Sequence, residues 1–465
     1  MNNRNRAQNP RLLHRGLFFL ILAGAAALRL PGLRDEPWLD EVWSIGLARK
    51  AASAFDVFFR LRHDNNNVLN TLYLRLVPEG PGWQRYRLLA FVCGLLTVAL
   101  LGWDDEDPAR GLLAAALAAV STQMVLYGTE ARGYALAALA AVACFRLLQP
   151  GVPRTRARAA AFSACALLGL FSHPTFAYVF AALAALSAAA LPRTTRIRGL
   201  LVLFGPPAAV FGLVALFQFP MAMGGANAVP LRVVLLRTLA LWSGTPFSGT
   251  AAFTGGLALL ALVGWEFARV RRERPAEFVF FAALFAGALA LAAAFPFPFE
   301  RHFFLCLPFV LLLLAGALRR LFRRPGGYGL LAALAGSFLI VGNLSRDRAV
   351  AQDGRGRYAE AVARMARDTP GPEITVSSDH DARNEMMLDF YAASLPPGKR
   401  LVYVPSPERA RHLPDWFLLH TFETDRRAAP IAVTIEGATR YELTDVYPYG
   451  GLSGWTWMLY RRPTK

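Results

Sequence analysis

Residues 277–324 read EFVFFAALFAGALALAAAFPFPFERHFFLCLPFVLLLLAGALRRLFRR. Two apolar blocks, 277–295 and 303–318, flank a short Pro-containing stretch that carries Glu300, Arg301 and His302. Four arginines, Arg319, Arg320, Arg323 and Arg324, close the second block. Neither block shows the polar face that a surface helix turns to water. Their length suits the hydrocarbon core of a bilayer, and flanking Arg clusters suit the positive-inside bias of cytoplasmic loops. The stretch reads as two membrane spans joined by a polar tip at one surface, with arginines at the other.

The same pattern recurs throughout the 465 residues. Spans are expected at 17–30, 88–103, 111–126, 133–148, 159–171, 175–191, 200–217, 251–267, 277–295, 303–318 and 328–341. The chain is 55% hydrophobic and 18% charged, where a soluble domain carries about 25% charged residues. A soluble enzyme, a disordered chain and a coiled coil are thereby excluded. The expected fold class is mainly α: a polytopic membrane protein of about eleven transmembrane helices, with a small C-terminal α/β domain outside the cytoplasm. The first span follows Arg4, Arg6, Arg11 and Arg15, and Ala25-Ala26-Ala27 resembles a signal cleavage site. Its apolar run continues through Leu33, however, and further spans follow, so a retained first helix is expected.

Charge placement sets the topology. With the N-terminus inside, the loops holding Arg154/Arg156/Arg158, Arg193/Arg196/Arg198, Arg269/Arg271/Arg272/Arg274 and Arg319/Arg320/Arg323/Arg324 all fall on the cytoplasmic side. One inner loop, Asp104-Asp105-Glu106-Asp107, is acidic, and acids weigh little in that rule. The short stretch 229–242, interrupted by Arg232 and Arg237, reads as an interfacial helix on the outer surface. An odd number of spans then divides the chain into a transmembrane domain, 1–343, with a large first outer loop at 34–87, and an extracytoplasmic domain, 344–465.

Net charge is +18, of which residues 344–465 supply only +1 from 17 basic and 16 acidic residues. The excess therefore lies between apolar blocks. A nucleic-acid binder would instead cluster basic and aromatic residues on a soluble module, so no nucleic-acid partner is expected. Lys occurs only at Lys50, Lys399 and Lys465, a bias that suits a GC-rich bacterial genome and hence an inner membrane. Cys93, Cys144, Cys165 and Cys306 lie in or beside apolar segments, in no zinc-binding spacing and no disulfide framework.

The tail alternates strand-like and helix-like patterns. Strands are expected at 374–376, 401–404, 416–419, 431–435 and 455–460, and a helix at 384–393. It holds no Gly-rich phosphate loop and no catalytic motif, and Asp379-His380-Asp381 reads as a solvated turn. No internal repeat is evident.

Ionisable residues are concentrated on the outer side. The first outer loop carries Asp35, Glu36, Asp40, Glu41, His63 and Asp64; later outer loops carry Glu130 and Arg132, then His173, then Glu300, Arg301 and His302. Acids, bases and cations from separate loops would converge on one face of the bilayer, the pattern of an interfacial active site. Asp40-Glu41 precedes an amphipathic stretch, so on spacing alone a helix N-terminus is the first reading of the pair, ahead of catalysis. In the functional reading Asp40 takes a proton from an acceptor hydroxyl, while Glu41 orients it or helps hold a divalent cation. His63-Asp64-Asn65-Asn66-Asn67 is rich in turn formers. Arg132 and Arg301 stand beside acids, where a local ion pair competes with phosphate binding through the planar guanidinium. His173 and His302, taken alone, read more often as satisfied interfacial histidines than as ligands.

Taken in order, these segments resemble a known group. Arg29-Leu30-Pro31-Gly32-Leu33 followed by Asp40-Glu41 is similar to the start of C-type (GT-C) glycosyltransferases of the protein O-mannosyltransferase and aminoarabinose transferase group. Glu130-Ala131-Arg132-Gly133-Tyr134 resembles their Ala-Arg-x-Tyr motif, and Ser172-His173 their Thr-His or Ser-His. Arg301-His302-Phe303-Phe304-Leu305-Cys306-Leu307-Pro308 resembles their Arg-Tyr-x-x-x-x-x-Pro stretch, with His302 where Tyr is common. The likeness covers about residues 17–345. It implies transfer of a sugar from a polyprenyl-phosphate donor to an extracytoplasmic acceptor with inversion. Asp40 would be the general base, with Glu41 beside it, and Arg132 and Arg301 would bind the donor phosphate. His63, Asp64, Glu130, Tyr134, His173, Glu300 and His302 would line the substrates.

Two other classes fit a polytopic chain. A transporter or flippase of a lipid-linked sugar would show inverted repeats and mid-membrane charges, and neither is evident. A structural subunit of a surface-polysaccharide assembly complex would not need acids and bases converging on one side.

Overall fold

The computed structural model describes residues 3–78, 80, 82–149, 155–219, 221, 229–422, 429–437 and 439–463. Arg154 and Lys465 lie outside these, as do the side chains of Arg4, Arg6 and Arg11. Two units make up the chain. The first comprises Met1–Leu33, Leu47–Glu79 and Arg85–Asp347; the second comprises Arg34–Gly46, Gly80–Gln84 and Arg348–Lys465. The structural boundary thus differs from a cut at residue 343, because Arg34–Gly46 belongs with the C-terminal residues.

In the first unit a helix stands at each expected span. Among the described residues seven helices are long and apolar enough to cross a membrane, and Pro108–Val120, Tyr134–Leu148 and Phe176–Ala190 are shorter apolar helices. The chain is an integral membrane protein of mainly α class. The stretch 231–243 forms a helix of its own, Leu231–Ser243, ended by Gly244 in the left-handed conformation at φ 77°. All four cysteines are free.

The expected span 111–126 is two helices, Pro108–Val120 and Thr122–Tyr127, broken at Ser121 (φ −63°, ψ 119°). Such a break orphans backbone carbonyls inside an apolar layer, where each would cost several kcal/mol without a donor. Arg29, fully buried, supplies donors: its guanidinium reaches Ala25 O at 2.9 Å, Ala119 O at 3.2 Å and Met124 O at 3.1 Å. Asn343 and Trp242 then pin the short second helix. Thr122 N–H donates to Asn343 Oδ1 at 2.9 Å, and Trp242 Nε1–H donates to Gln123 Oε1 at 2.9 Å. Tyr127 is fixed in place as a result, with its ring 4.6 Å from Tyr134 and 4.7 Å from Phe304.

The acidic loop that departs from the charge rule has partners. Asp107 lies 3.1 Å from Arg319 and 2.9 Å from Arg323, and Arg110 pairs with Asp104. Arg320 meets Glu266 at 2.9 Å and Glu273 at 2.6 Å. Acid and Arg clusters therefore share one end of the helix bundle.

The second unit is a six-stranded sheet of order β2-β1-β3-β6-β5-β4 with β1 Glu373–Ser378, β2 Arg400–Tyr403, β3 Trp416–Thr421, β4 Ala432–Ile435, β5 Thr439–Tyr447 and β6 Thr456–Arg461. β1 pairs in parallel with β2 and β3, and the remaining pairs are antiparallel. Side chains alternate strictly: Trp416, Leu418, Trp457 and Leu459 enter one core, Phe417, Met458 and Tyr460 the other. The larger core also takes Tyr358, Val362 and Met365 from helix Tyr358–Asp368, and Trp38, Leu39 and Val42 from the first-loop segment. This is the α/β unit expected from the tail. β5 and helix Tyr358–Asp368 were not expected. β5, TRYELTDVY, has no apolar run, since only Tyr441 and Tyr447 are buried in it.

Candidate active site

In the first unit, three loops meet around Gly133. A Cβ at this position would run into the Ser172 carbonyl and stand 3.0 Å from Asn67 Oδ1. Only glycine lets the segments carrying Arg132, His173 and Asn67 close so tightly. Asn70 Nδ2–H donates to Ala131 O at 2.8 Å, tying helix Val68–Leu76 to the same loop. Asn66 Nδ2–H donates to Val57 O and Leu61 O, each at 2.9 Å, and so closes the turn before that helix.

On this frame the sequence-selected residues gather. His63 Nδ1 lies 2.9 Å from Asp64 Oδ1. Arg132, 6% exposed, stands 3.9 Å from the fully buried Glu130 and 5.0 Å above the Tyr134 ring. Tyr134 stacks on His173 at 4.3 Å, and His173 Nδ1 meets Thr175 Oγ1 at 2.7 Å. Arg301 lies 4.5 Å over Phe299, and Phe299 N–H donates to His302 Nδ1 at 3.3 Å. Tyr178 holds the His302 carbonyl at 3.1 Å. Glu300 faces Arg237 at 3.8 Å, a cation on helix Leu231–Ser243 that sequence reading treated only as an interruption.

Electrostatics shows how close these groups are. Burial drives the His173 pKa well below its usual value, and the charges of Arg132, His302 and Arg301 push the same way. Its imidazole is therefore neutral at pH 7 and hydrogen-bonds without adding charge. For Asp64 burial opposes ionisation, but the His63 contact and the charges of Arg132 and Arg301 prevail and hold its carboxyl below the usual range. Two guanidinium groups, a carboxylate and a neutral imidazole thus share one locus. Such a locus can bind an anion while hydrogen-bonding neutral hydroxyls. The amide oxygens of Asn66, Asn67 and Asn70 are buried without a hydrogen-bond donor among the described residues. Sequence reading had taken the first two only as turn formers.

Asp40 and Glu41 belong to the second unit, in the first turn of helix Leu39–Lys50. Glu41 is fully buried; its Oε2 accepts Trp38 N–H at 3.3 Å and stands 3.8 Å from Arg355 Nε. Arg355, also fully buried, donates its backbone N–H to Asp35 Oδ2 at 2.8 Å. Asp40 is half-buried, and its carbonyl accepts from Ser44 Oγ at 2.8 Å. Helix-end capping therefore describes Glu41 well, and Asp40 is the more accessible carboxylate. Burial pushes the Glu36 carboxyl up to about 7, against donation by Ala359 N–H and with help from the Asp35 charge. Arg355 was invisible in a charge-balanced tail, since nothing local marks it as the partner of acids more than 300 residues earlier. Among the described residues no three His, Cys, Asp or Glu side chains are grouped to hold a metal ion.

The helical bundle with its sheet-bearing C-terminal unit has a fold similar to those of ArnT and the oligosaccharyltransferase AglB. The chain is similar to ArnT from Cupriavidus metallidurans in the apo state, with 10% identity over 98% of both chains and a TM-score of 0.56. It is also similar to ArnT bound to undecaprenyl phosphate, with 11% identity over 98% of both chains and a TM-score of 0.50. A third likeness is to the oligosaccharyltransferase AglB from Archaeoglobus fulgidus, in complex with an inhibitory peptide and a dolichol-phosphate. There identity is 12%, coverage 88% of this chain and 69% of that one, and the TM-score 0.51. At such identities the likeness is one of fold. No protein-family model and no curated protein sequence matches the chain.

Proposed function

We propose that this chain is an integral membrane glycosyltransferase that moves a sugar from a polyprenyl-phosphate donor to an acceptor outside the cytoplasm. The observation that carries the reading is the meeting of the Arg132, His173 and Arg301–Phe304 segments around Tyr134, whose ring lies 5.0 Å from the Arg132 guanidinium, 4.3 Å from His173 and 6.0 Å from Phe304. The fold shared with ArnT and AglB, structures of which hold undecaprenyl phosphate and a dolichol-phosphate, supports it. The N-terminus would lie in the cytoplasm of a bacterial cell, the C-terminal unit outside its inner membrane.

In a single displacement, the acceptor hydroxyl oxygen bonds to the anomeric carbon as the bond from that carbon to the phosphate oxygen breaks. The proton passes to Asp40, and the polyprenyl phosphate leaves with one more negative charge than it had as a diester. Arg132 and Arg301 stabilise that growing charge, and stabilisation of developing charge is what lowers the barrier. His173, neutral and fixed between Tyr134 and Thr175, orients a donor hydroxyl. Glu41 holds the helix start that presents Asp40, and one base suffices for inversion.

The test is turnover of labelled polyprenyl-phosphate sugars by the purified protein in lipid. Asp40→Asn should abolish transfer while leaving the protein inserted, and Glu41→Gln should act mainly on stability. Near wild-type transfer by a folded Asp40→Asn protein would remove Asp40 from the mechanism. Wild-type protein that moves the intact lipid across the bilayer without cleaving it would replace the transferase with a flippase.

A further inference from the structure

In the second unit, β1 leads through helix Asp381–Ala392 to β2 on one side, and the chain then returns to place β3 on the other side of β1. Parallel strands that part in this way leave a crevice at their carboxyl ends, where α/β sheets bind ligands. Asp379 and His380 follow directly on β1, and His420 lies one residue before the end of β3.

These side chains are organised. Asp379 Oδ1 lies 2.9 Å from His420 Nδ1 and accepts Asn384 Nδ2–H at 3.1 Å. The Asn384 amide is itself fixed, because its Oδ1 accepts Trp457 Nε1–H at 3.0 Å. With Nδ1–H donated to a carboxylate, His420 keeps Nε2 as an acceptor. His380 stands 5.9 Å from His420, ring to ring. Trp455 packs 5.0 Å from His420 and 6.3 Å from Phe422, and its indole N–H is buried with no acceptor among the described residues. A buried donor without a partner marks a place for a ligand oxygen. Phe422 is 59% exposed, although Tyr449 Oη–H anchors its carbonyl at 2.8 Å. An exposed phenyl ring beside fixed hydrogen-bonding groups calls for an occupant with both an apolar face and hydroxyls.

We infer that the Asp379–His380–His420–Phe422–Trp455 cluster is a binding site for a sugar ring, stacked on Phe422 with its hydroxyls on the two histidines and Asp379. An anion would meet the carboxylates of Asp379 and Asp381. The inference stands on this unit alone and needs no transfer activity.

Full-length protein in lipid nanodiscs would be titrated with neutral trisaccharides of mannose, glucose, galactose and arabinose, with binding read by saturation-transfer NMR. At least one should bind saturably. Phe422→Ala and His420→Gln should each weaken it about three- to tenfold, the size of one stacking or hydrogen-bonding contact. Ile431→Ala, 83% exposed on the same unit, should leave binding unchanged. Phe422→Ala removes an exposed ring, so its fold survives and the test stays open even where His420→Gln unfolds. Absence of saturable binding across the panel, or wild-type affinity in Phe422→Ala, would overturn the site.

Discussion

Gly133→Ala is the sharpest test of the locus in the membrane unit, because one methyl group acts on three segments without altering any charge. An added Cβ would stand 2.7 Å from the Ser172 carbonyl carbon and 3.0 Å from Asn67 Oδ1. Comfortable carbon–carbon separation is about 3.5–4.0 Å and the Ser172 carbonyl oxygen stands closer still, so the Arg132 and His173 loops must part by at least about 1 Å. Overpacking of this kind costs about 1–3 kcal/mol, which a folded membrane unit can tolerate. A misplacement of about 1 Å at a reacting centre, however, costs about 10²-fold in rate. Gly133→Ala should therefore insert normally, melt slightly lower and transfer sugar about a hundredfold more slowly. Gly205→Ala is the control, since a Cβ there meets nothing within 4 Å. Single-turnover transfer of a labelled donor, with thermal unfolding in the same lipid, measures both effects. Wild-type turnover in Gly133→Ala would mean that the 129–134 and 172–175 loops do not frame the reaction.

Other substitutions separate charge, topology and proton linkage. Arg132→Ala and Arg301→Ala should each weaken donor use by roughly 1.5–3 kcal/mol, the value of a hydrogen bond to a charged group; Lys should rescue only partly, having no fork. Unchanged donor dependence in both would place the phosphate elsewhere. Cysteine placed at Arg62 or Ile431, both exposed, should react with membrane-impermeant reagent from outside, and cysteine at the equally exposed Arg156 or Arg272 should not; labelling at Arg272 would make the 231–243 helix a span. Glu36 binds its proton more tightly folded than unfolded, so its contribution is fully present below the ordinary carboxylate range and is lost as pH rises through about 7. Glu36→Gln, which keeps an acceptor for Ala359 N–H, should thus raise the unfolding temperature at pH 8 and leave it unchanged at pH 4; no gain at pH 8 would show that Glu36 ionises freely.

The membrane fold was legible because its signal is redundant. In each span nearly every residue is apolar, so an error of a few residues at either end leaves the span readable. What stayed hidden was set by single contacts. The break at Ser121 has no Pro or Gly to announce it, and it persists because Arg29, from a helix about ninety residues earlier, satisfies the freed carbonyls. The sheet was legible where strands bury both faces, as in Trp416–Thr421, and illegible at β5, whose pairing with β6 holds it in place without an apolar run.

For the site, the same distinction has a chemical consequence. Arg132, His173 and Arg301 could be listed from sequence because each ends an apolar block, where a charged or polar side chain is conspicuous. Their mutual placement depends on Gly133 and the Asn67–Asn70 segment, residues of unremarked type whose value lies in what they lack or accept. Arg355 shows the converse. It is one of many arginines in a balanced tail, yet it is fully buried and takes up the carboxylates of Asp35 and Glu41. Glu41, fully buried, would carry a penalty of about 3–5 kcal/mol if left without that cation. The helix start that bears Asp40 and Glu41 is therefore held through Glu41 by Arg355 of the tail, so the tail contributes to presenting Asp40 even where it contributes nothing to chemistry.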